Sequence, residues 1–282
     1  MYESRVNVSG GGPMVSVVSR RQVLKGLSAA LSLGSIVHSG TGLAGPKASE
    51  RALTILYPIG PDSRFNADYY RDHHLTLFMD IYGSSIERFE LCTVQSSAPL
   101  PGDVASTNAM RFAALMNIWI SDFGLFTSRS TDAAYTAMGA DKANFTNIQS
   151  TVQVDEVQAM LGEPRSAPRV GDECIQFCFP NKPGARWDVG TYSQVDAPRF
   201  LKAFGPEAVS RIEIRKGISE LDAGAPGYLG SVSIYVKDRK AFATAYATHG
   251  GPLEARTLAM SNVHPFLLRT SVYGIGTSRA HA

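Results

Sequence analysis

The stretch from Ala52 to about Asp155 is echoed by the stretch from Cys174 to about Gly276, and this internal repeat constrains the chain more than any other feature. From Ala52 to Gly83 the copies align without a gap at an offset of 122, pairing Tyr57-Pro58 with Phe179-Pro180, Arg64-Phe65 with Arg186-Trp187, and Tyr70 with Tyr192. The register then slips by one, so that Arg88-Phe89-Glu90-Leu91 matches Arg211-Ile212-Glu213-Ile214. At an offset of 116, Ile118-Trp119-Ile120-Ser121-Asp122 matches Ile234-Tyr235-Val236-Lys237-Asp238. A chain carrying one small fold twice is expected to behave as a fused dimer.

Periodicity supplies the architecture of each copy. In the first, 52–58 reads as a short apolar strand, 66–82 as a helix stopped by Gly83, and 88–94 and 112–120 as strands. Asp122 caps a second helix running to about Met138, and 148–154 closes the unit as a strand. The second copy repeats the order with strands 174–179, 209–216, 228–236 and 263–273 and helices 188–204 and 238–248. The order β-α-β-β-α-β is ferredoxin-like and leaves one sheet face without helices. The expected fold class is therefore α+β, two fused ferredoxin-like units packing sheet to sheet as an intrachain α+β barrel. The expected organisation is a first copy over 45–161, a linker over 162–172, a second copy over 173–276 and a tail over 277–282.

Residues 1–44 read as an address. Ser19-Arg20-Arg21-Gln22-Val23-Leu24-Lys25 precedes a small-residue apolar run from Gly26 to Val37, the pattern of a Tat export signal. That run is shorter than the roughly 20 residues a spanning helix needs. The mature protein is expected in the periplasm or outside the cell, with the Tat machinery as its export partner. Taking Arg5, Arg20, Arg21, Lys25 and Glu3 away from 27 basic and 25 acidic residues leaves 23 against 24. A net charge near −1 without a basic cluster points away from nucleic acid. Cys92, Cys174 and Cys178 form no metal or disulfide pattern and read as core. No Gly-x-Gly-x-x-Gly, P-loop, Gly-x-Ser-x-Gly or His-Glu-x-x-His motif occurs, which argues against nucleotide cofactors, serine hydrolysis and a zinc site.

Phe65-Asn66-Ala67-Asp68-Tyr69-Tyr70-Arg71-Asp72-His73-His74-Leu75-Thr76-Leu77 resembles the first-helix signature of EthD-type proteins of the dimeric α+β barrel superfamily. Asn144-Phe145-Thr146-Asn147-Ile148-Gln149 and Ser261-Asn262-Val263-His264-Pro265 resemble the approach to the last strand in the same family. The resemblance implies the barrel fold and a site between sheet and helices, and relatives include cofactor-free oxygenases, cyclases and isomerases as well as haem-binding branches. His74 stands at the family's histidine and is replaced by Asp196 in copy two. His249-Gly250 resembles the family's His-Gly pair, where copy one has Met138-Gly139.

His74 is the expected general base, or a donor polarising a carbonyl, because an imidazole titrates near neutral pH. Tyr70 lies four residues before it, so the two share a helical face, and Asp72 lies within a turn. Tyr69, Trp119, His249 and His264 are the expected substrate-binding residues. The residues alone also allow a bland reading, in which His74 and Tyr70 are helix packing, His249 is a cation at a helix end and Trp119 is core. Asn147 and Asn262 are expected to fix the turn before the last strand.

The functional expectation is an exported, cofactor-independent enzyme of isomerase, cyclase or oxygenase type, acting on a small hydrophobic or aromatic molecule. No metal, no nucleic-acid partner and no stable membrane span are expected, and the chain should be a monomer acting as a pseudo-dimer. The alternatives are a non-catalytic binding or accessory protein and, second, a haem protein with His249 or His264 as axial ligand.

Overall fold

In a computed structural model, residues 50–99, 112–130, 133–163, 168–221 and 224–277 are described. The expected export segment and the tail after 277 lie outside them, as do residues 164–167 of the expected linker. Among the described residues there are eight strands, β1 (Arg51–Pro58), β2 (Ile86–Pro99), β3 (Phe112–Ile120), β4 (Thr151–Gly162), β5 (Glu173–Pro180), β6 (Val209–Glu220), β7 (Tyr228–Val236) and β8 (Phe266–Thr277). They close an antiparallel barrel in the order β1-β3-β2-β8-β5-β7-β6-β4. Each half contributes four neighbours, β4-β1-β3-β2 and β8-β5-β7-β6, and the halves meet at β2·β8 and β4·β6.

The four strands at these two seams are 12 to 14 residues long, against 8 or 9 for the others. Their extensions past the expected ends pair with the other half, a non-local partner that local periodicity does not report. Gly162 ends β4 at φ +93°, and a Cβ there would come within 2.4 Å of the Ser210 carbonyl oxygen. Only glycine fits so close an approach.

Five helices cover the outside. Helix α1 runs over 67–82 as Ala67–Tyr69, a π-turn Tyr70–His74, and Leu75–Tyr82. It is capped by Asn66, whose side chain accepts from the Tyr69 backbone N–H. α2 (Phe123–Arg129) starts at the expected cap, Asp122, and α3 (Ala133–Phe145) follows. α4, over 189–204, has the same composite build as α1, with its π-turn at Tyr192–Asp196. α5 (Arg239–Ala259) is capped by Asp238.

Two helices run past their expected ends. Gly139 does not stop α3, since a glycine inside a helix costs only about 1 kcal/mol. Pro252 does not stop α5 either, although an internal proline costs roughly 3 kcal/mol. Phe242, Leu253 and Met260 on that helix pack on the second core and offset the loss.

Alternation along the strands divides side chains between two environments. Leu53 and Tyr57 of β1 face the helices with Ile118 of β3, as Ile175 and Phe179 of β5 do with Ile234 of β7. The alternate residues point into the barrel, and all three cysteines are there, free and buried. One end of the interior is apolar, with Leu56, Leu115, Cys178 and Leu268. The other end is charged. Glu90, Arg211, Glu213 and Arg215 are each 2% exposed or less.

The charged end draws corresponding residues from the two halves. Arg88 lies 3.9 Å over the Trp119 ring and Arg211 lies 3.9 Å over the Tyr235 ring. Trp119 Nε1 donates to Glu213 at 3.1 Å, and Tyr235 Oη donates to Glu90 at 2.6 Å. Each aromatic thus bonds the carboxylate of the opposite half. Arg211 pairs with Glu90 at 3.1 Å, and Arg88 approaches Glu213 at 3.6 Å. Arg215 breaks the symmetry by bonding Glu213 at 2.6 Å, where copy one has Cys92.

Candidate active site

A cavity of about 210 Å³ lies in the first half between the helix-facing side of β1 and β3 and the helices. Leu53, Ile55, Ile118 and Val152 form its sheet wall, while Tyr70, His74, Phe78 and Phe145 come from the helices. His74 is only 12% exposed, with its ring 5.0 Å from Tyr70 and 4.5 Å from Phe145 between centroids. The π-turn runs from Tyr70 to His74, and insertions of this type recur at functional sites.

The partner of His74 is Asp141 of α3, with Nδ1 and Oδ2 2.9 Å apart. Tyr69 Oη donates to Asp141 Oδ1 at 2.8 Å and the Asn144 side-chain amide donates to the same oxygen at 2.9 Å. Burial pushes Asp141 up, but the donors Asn144, His74 and Tyr69 outweigh it and hold the carboxyl below its usual range. An ionised Asp141 needs a donor from the ring, which places the His74 proton on Nδ1 and the lone pair on Nε2. Burial lowers the His74 pKa, against the Asp141 bond and charge that raise it, and the nearby Lys142 lowers it further. The imidazole is therefore neutral at neutral pH, with Nε2 without a protein partner among the described residues.

Lys142 also lines the cavity, and burial lowers its own pKa. One wall thus carries a base and a cation within electrostatic reach of each other. Tyr70 is buried among Tyr57, Phe65 and Phe145. Its hydroxyl donates to Met116 Sδ at 2.9 Å and accepts from Tyr57 at 3.4 Å. Burial and the neighbouring Tyr57 hold its pKa far above the ordinary value, so it acts as a neutral phenol.

Of the expected site residues, His74 and Tyr70 come together on the cavity. Asp72 is on the outer side of α1, where Arg71 holds it at 2.6 Å, because residues two apart on a helix point in different directions. The carboxylate beside His74 comes from Asp141 instead. Tyr69 reaches Asp141 rather than the cavity. Trp119 is fully buried inside the barrel, on the opposite side of the sheet from the cavity. His249 and His264 are exposed and line neither helix-side cavity. They offer no enclosed pocket for a haem and do not fit the axial-ligand role. Among the described residues no group of three or more His, Cys, Asp or Glu is placed to hold a metal ion.

The repeat alignment also changes at this point. Isolated bridges join Phe65 to Thr146 and Trp187 to Ser261, which makes Thr146 and Ser261 equivalent at an offset of 115. Asp141 then corresponds to Arg256, and His249 falls opposite the start of α3 rather than Met138. In copy two, Arg256 Nε donates to Asp196 Oδ1 at 2.6 Å. A histidine–aspartate pair in one half is thus a carboxylate–guanidinium pair in the other, with the acid moved to the other helix. Asn147 and Asn262 bridge the turns before the last strands, accepting from the backbone N–H of Arg64 at 2.8 Å and of Arg186 at 2.6 Å.

Asp141 and Lys142 escaped the sequence reading because the helix was expected to stop at Met138. The signal that finds them is the spacing of Met138, Lys142 and Phe145, which keeps one face of α3 on the cavity for another two turns.

No family model matches this sequence, and no curated protein matches it significantly. Solved structures do. An anthrone oxidase-like protein superposes with a TM-score of 0.50 at 11% identity, covering 83% of this chain and 95% of its own. A monooxygenase-like protein from Fusobacterium nucleatum gives a TM-score of 0.50 at 9% identity, over 82% and 96%. An EthD-like protein from Ralstonia eutropha covers 40% of this chain and 97% of its own, at 17% identity and a TM-score of 0.32. The first two show the fold, an α+β barrel.

Proposed function

We propose that the chain is an enzyme that removes a proton from a small, largely apolar or aromatic substrate in the copy-one cavity. The observation that carries this is the buried, neutral His74, oriented by an ionised Asp141 and presenting Nε2 to an apolar cavity with Lys142 on its wall. Such an arrangement suits an activated C–H or a phenolic O–H. Nε2 takes the proton, Asp141 stabilises the imidazolium, and Lys142 stabilises the enolate or phenolate left behind. The anion is the branch point between isomerisation, cyclisation and reaction with dioxygen, and the oxidase-like and monooxygenase-like names of similarly folded proteins favour the last. On this reading the reaction needs no cofactor, since the substrate anion itself supplies the electrons.

The test is exchange and oxygen uptake with a panel of ring-fused ketones and phenols, anthrone included, in D2O. Wild type should accelerate loss of the acidic proton for at least one member, and His74→Ala should abolish the acceleration. Equal exchange by the two proteins would overturn the assignment. Export through the Tat pathway, internal duplication and a single-chain solution mass belong to the same reading. Replacing Arg20 and Arg21 together by lysine should keep the protein in the cytoplasm, and native mass spectrometry should give one chain.

A further inference from the structure

The second half holds a larger cavity, of about 280 Å³, in the place equivalent to the first. Its walls are apolar, with Ile175, Phe177 and Ile234 from the sheet and Phe200, Phe242 and Leu253 from α4 and α5. Tyr192 closes it as Tyr70 closes the other. The base is absent. Asp196 stands where His74 does, is tied to Arg256, and does not line the cavity.

The charged groups of this cavity gather at its mouth and carry both signs, while the buried Tyr192 and half-buried Thr257 also line it. Arg239 is paired with Glu173 at 2.8 Å, Tyr246 donates to Glu254, and Arg269 stands beside them. Two cations against two carboxylates leave no net charge to favour a charged ligand of either sign, whereas they offer both donors and acceptors to a hydroxyl or carbonyl. An apolar cavity of about 150 Å³ admits benzene, so this one has room for a fused pair of rings.

We propose that the copy-two cavity is a second ligand site, which binds a neutral, flat, mostly apolar molecule with one hydroxyl or carbonyl at the mouth and does not react with it. The site stands on its own lining and does not depend on what His74 does.

The test uses 2-naphthol, a bicyclic neutral phenol, and wild-type protein labelled on isoleucine methyl groups. Ile175 and Ile234 report the second cavity, and Ile55 and Ile118 the first. Intermolecular NOEs from naphthol to the Ile175 and Ile234 methyls are expected, whether or not the first cavity also fills. Ala247→Phe, which plugs the second cavity from an exposed position on α5, should weaken that binding by about tenfold or more, which corresponds to at least about 1.4 kcal/mol. Absence of NOEs at Ile175 and Ile234 at millimolar naphthol would overturn the proposal. So would a folded Ala247→Phe variant that binds there as wild type does.

Discussion

Neutralising Glu213 should destabilise the protein far more than neutralising Glu90, although the two carboxylates occupy equivalent places in the repeat. Both are buried in the barrel, at 1% exposure. Burial pushes Glu213 up, but Arg215, Arg211 and Arg88 more than offset it and leave its pKa below the ordinary value. Burial also pushes Glu90 up, and Arg211, Tyr235 and Arg88 do not recover the cost, so its pKa ends raised. The difference is Arg215, 2.6 Å from Glu213. Glu213→Gln leaves Arg88, Arg211 and Arg215 facing the buried carboxylates Glu90 and Asp155, with the half-buried Glu50 near them. Breaking a buried pair on one side costs about 3–5 kcal/mol, a large share of a typical total of roughly 5–15. Glu90→Gln should cost less, because Arg211, Tyr235 and Arg88 do not offset the burial of that carboxylate and removing its charge relieves part of the cost. Urea unfolding followed by tryptophan fluorescence measures both, because Trp119 donates directly to Glu213 and the chain has only one other tryptophan. Equal losses, or a larger loss for Glu90→Gln, would refute the reasoning.

Asp141→Asn should reduce turnover by up to about 10⁴-fold while leaving the fold intact, since the amide no longer fixes the His74 tautomer; steady-state kinetics beside a circular dichroism spectrum check both halves of this. Lys142→Met should lower kcat by about 10² with little change in KM, if the cation acts on the anion formed in the reaction rather than on the substrate. The pH profile should fall on the acid side below His74's ordinary value of 6.5, because burial lowers its pKa and the base is active only when neutral. Asp155, pushed up by burial to about 6 from 3.8, binds its proton more tightly when folded. Its contribution to stability should therefore decline as pH rises from about 4 to about 6 and stay low above that, so the wild-type minus Asp155→Asn difference should follow this slope in urea titrations.

The order of elements was legible because each core strand and first helix carries its own period and its own stop, and because the two halves of the sequence echo each other and were read side by side. Arg88-Phe89-Glu90 and Arg211-Ile212-Glu213 were visible as a repeated string, and so was Trp119 opposite Tyr235. That they form one crossed network was not, since a barrel interior is defined by strands of the other half. The seam strands were read short for the same reason. Within the site, His74 was legible from the resemblance of its helix to the EthD-type signature, and Tyr70 from its spacing four residues before it on the same helix. Asp141 was not, because it reaches His74 from a helix that Met138-Gly139 disguised as ended. Asp72 was chosen in its place for nearness in sequence, which on a helix is not nearness in space.

The state of the His74 ring tests the account most directly and needs no substrate. Nitrogen-15 NMR of histidine-labelled protein at neutral pH, with His74→Gln to assign the signal, should show a neutral ring with the proton on Nδ1 and a bare, pyridine-like Nε2. In Asp141→Asn that pattern should be lost. A His74 that carries its proton on Nε2, or on both nitrogens, would contradict the proposed base.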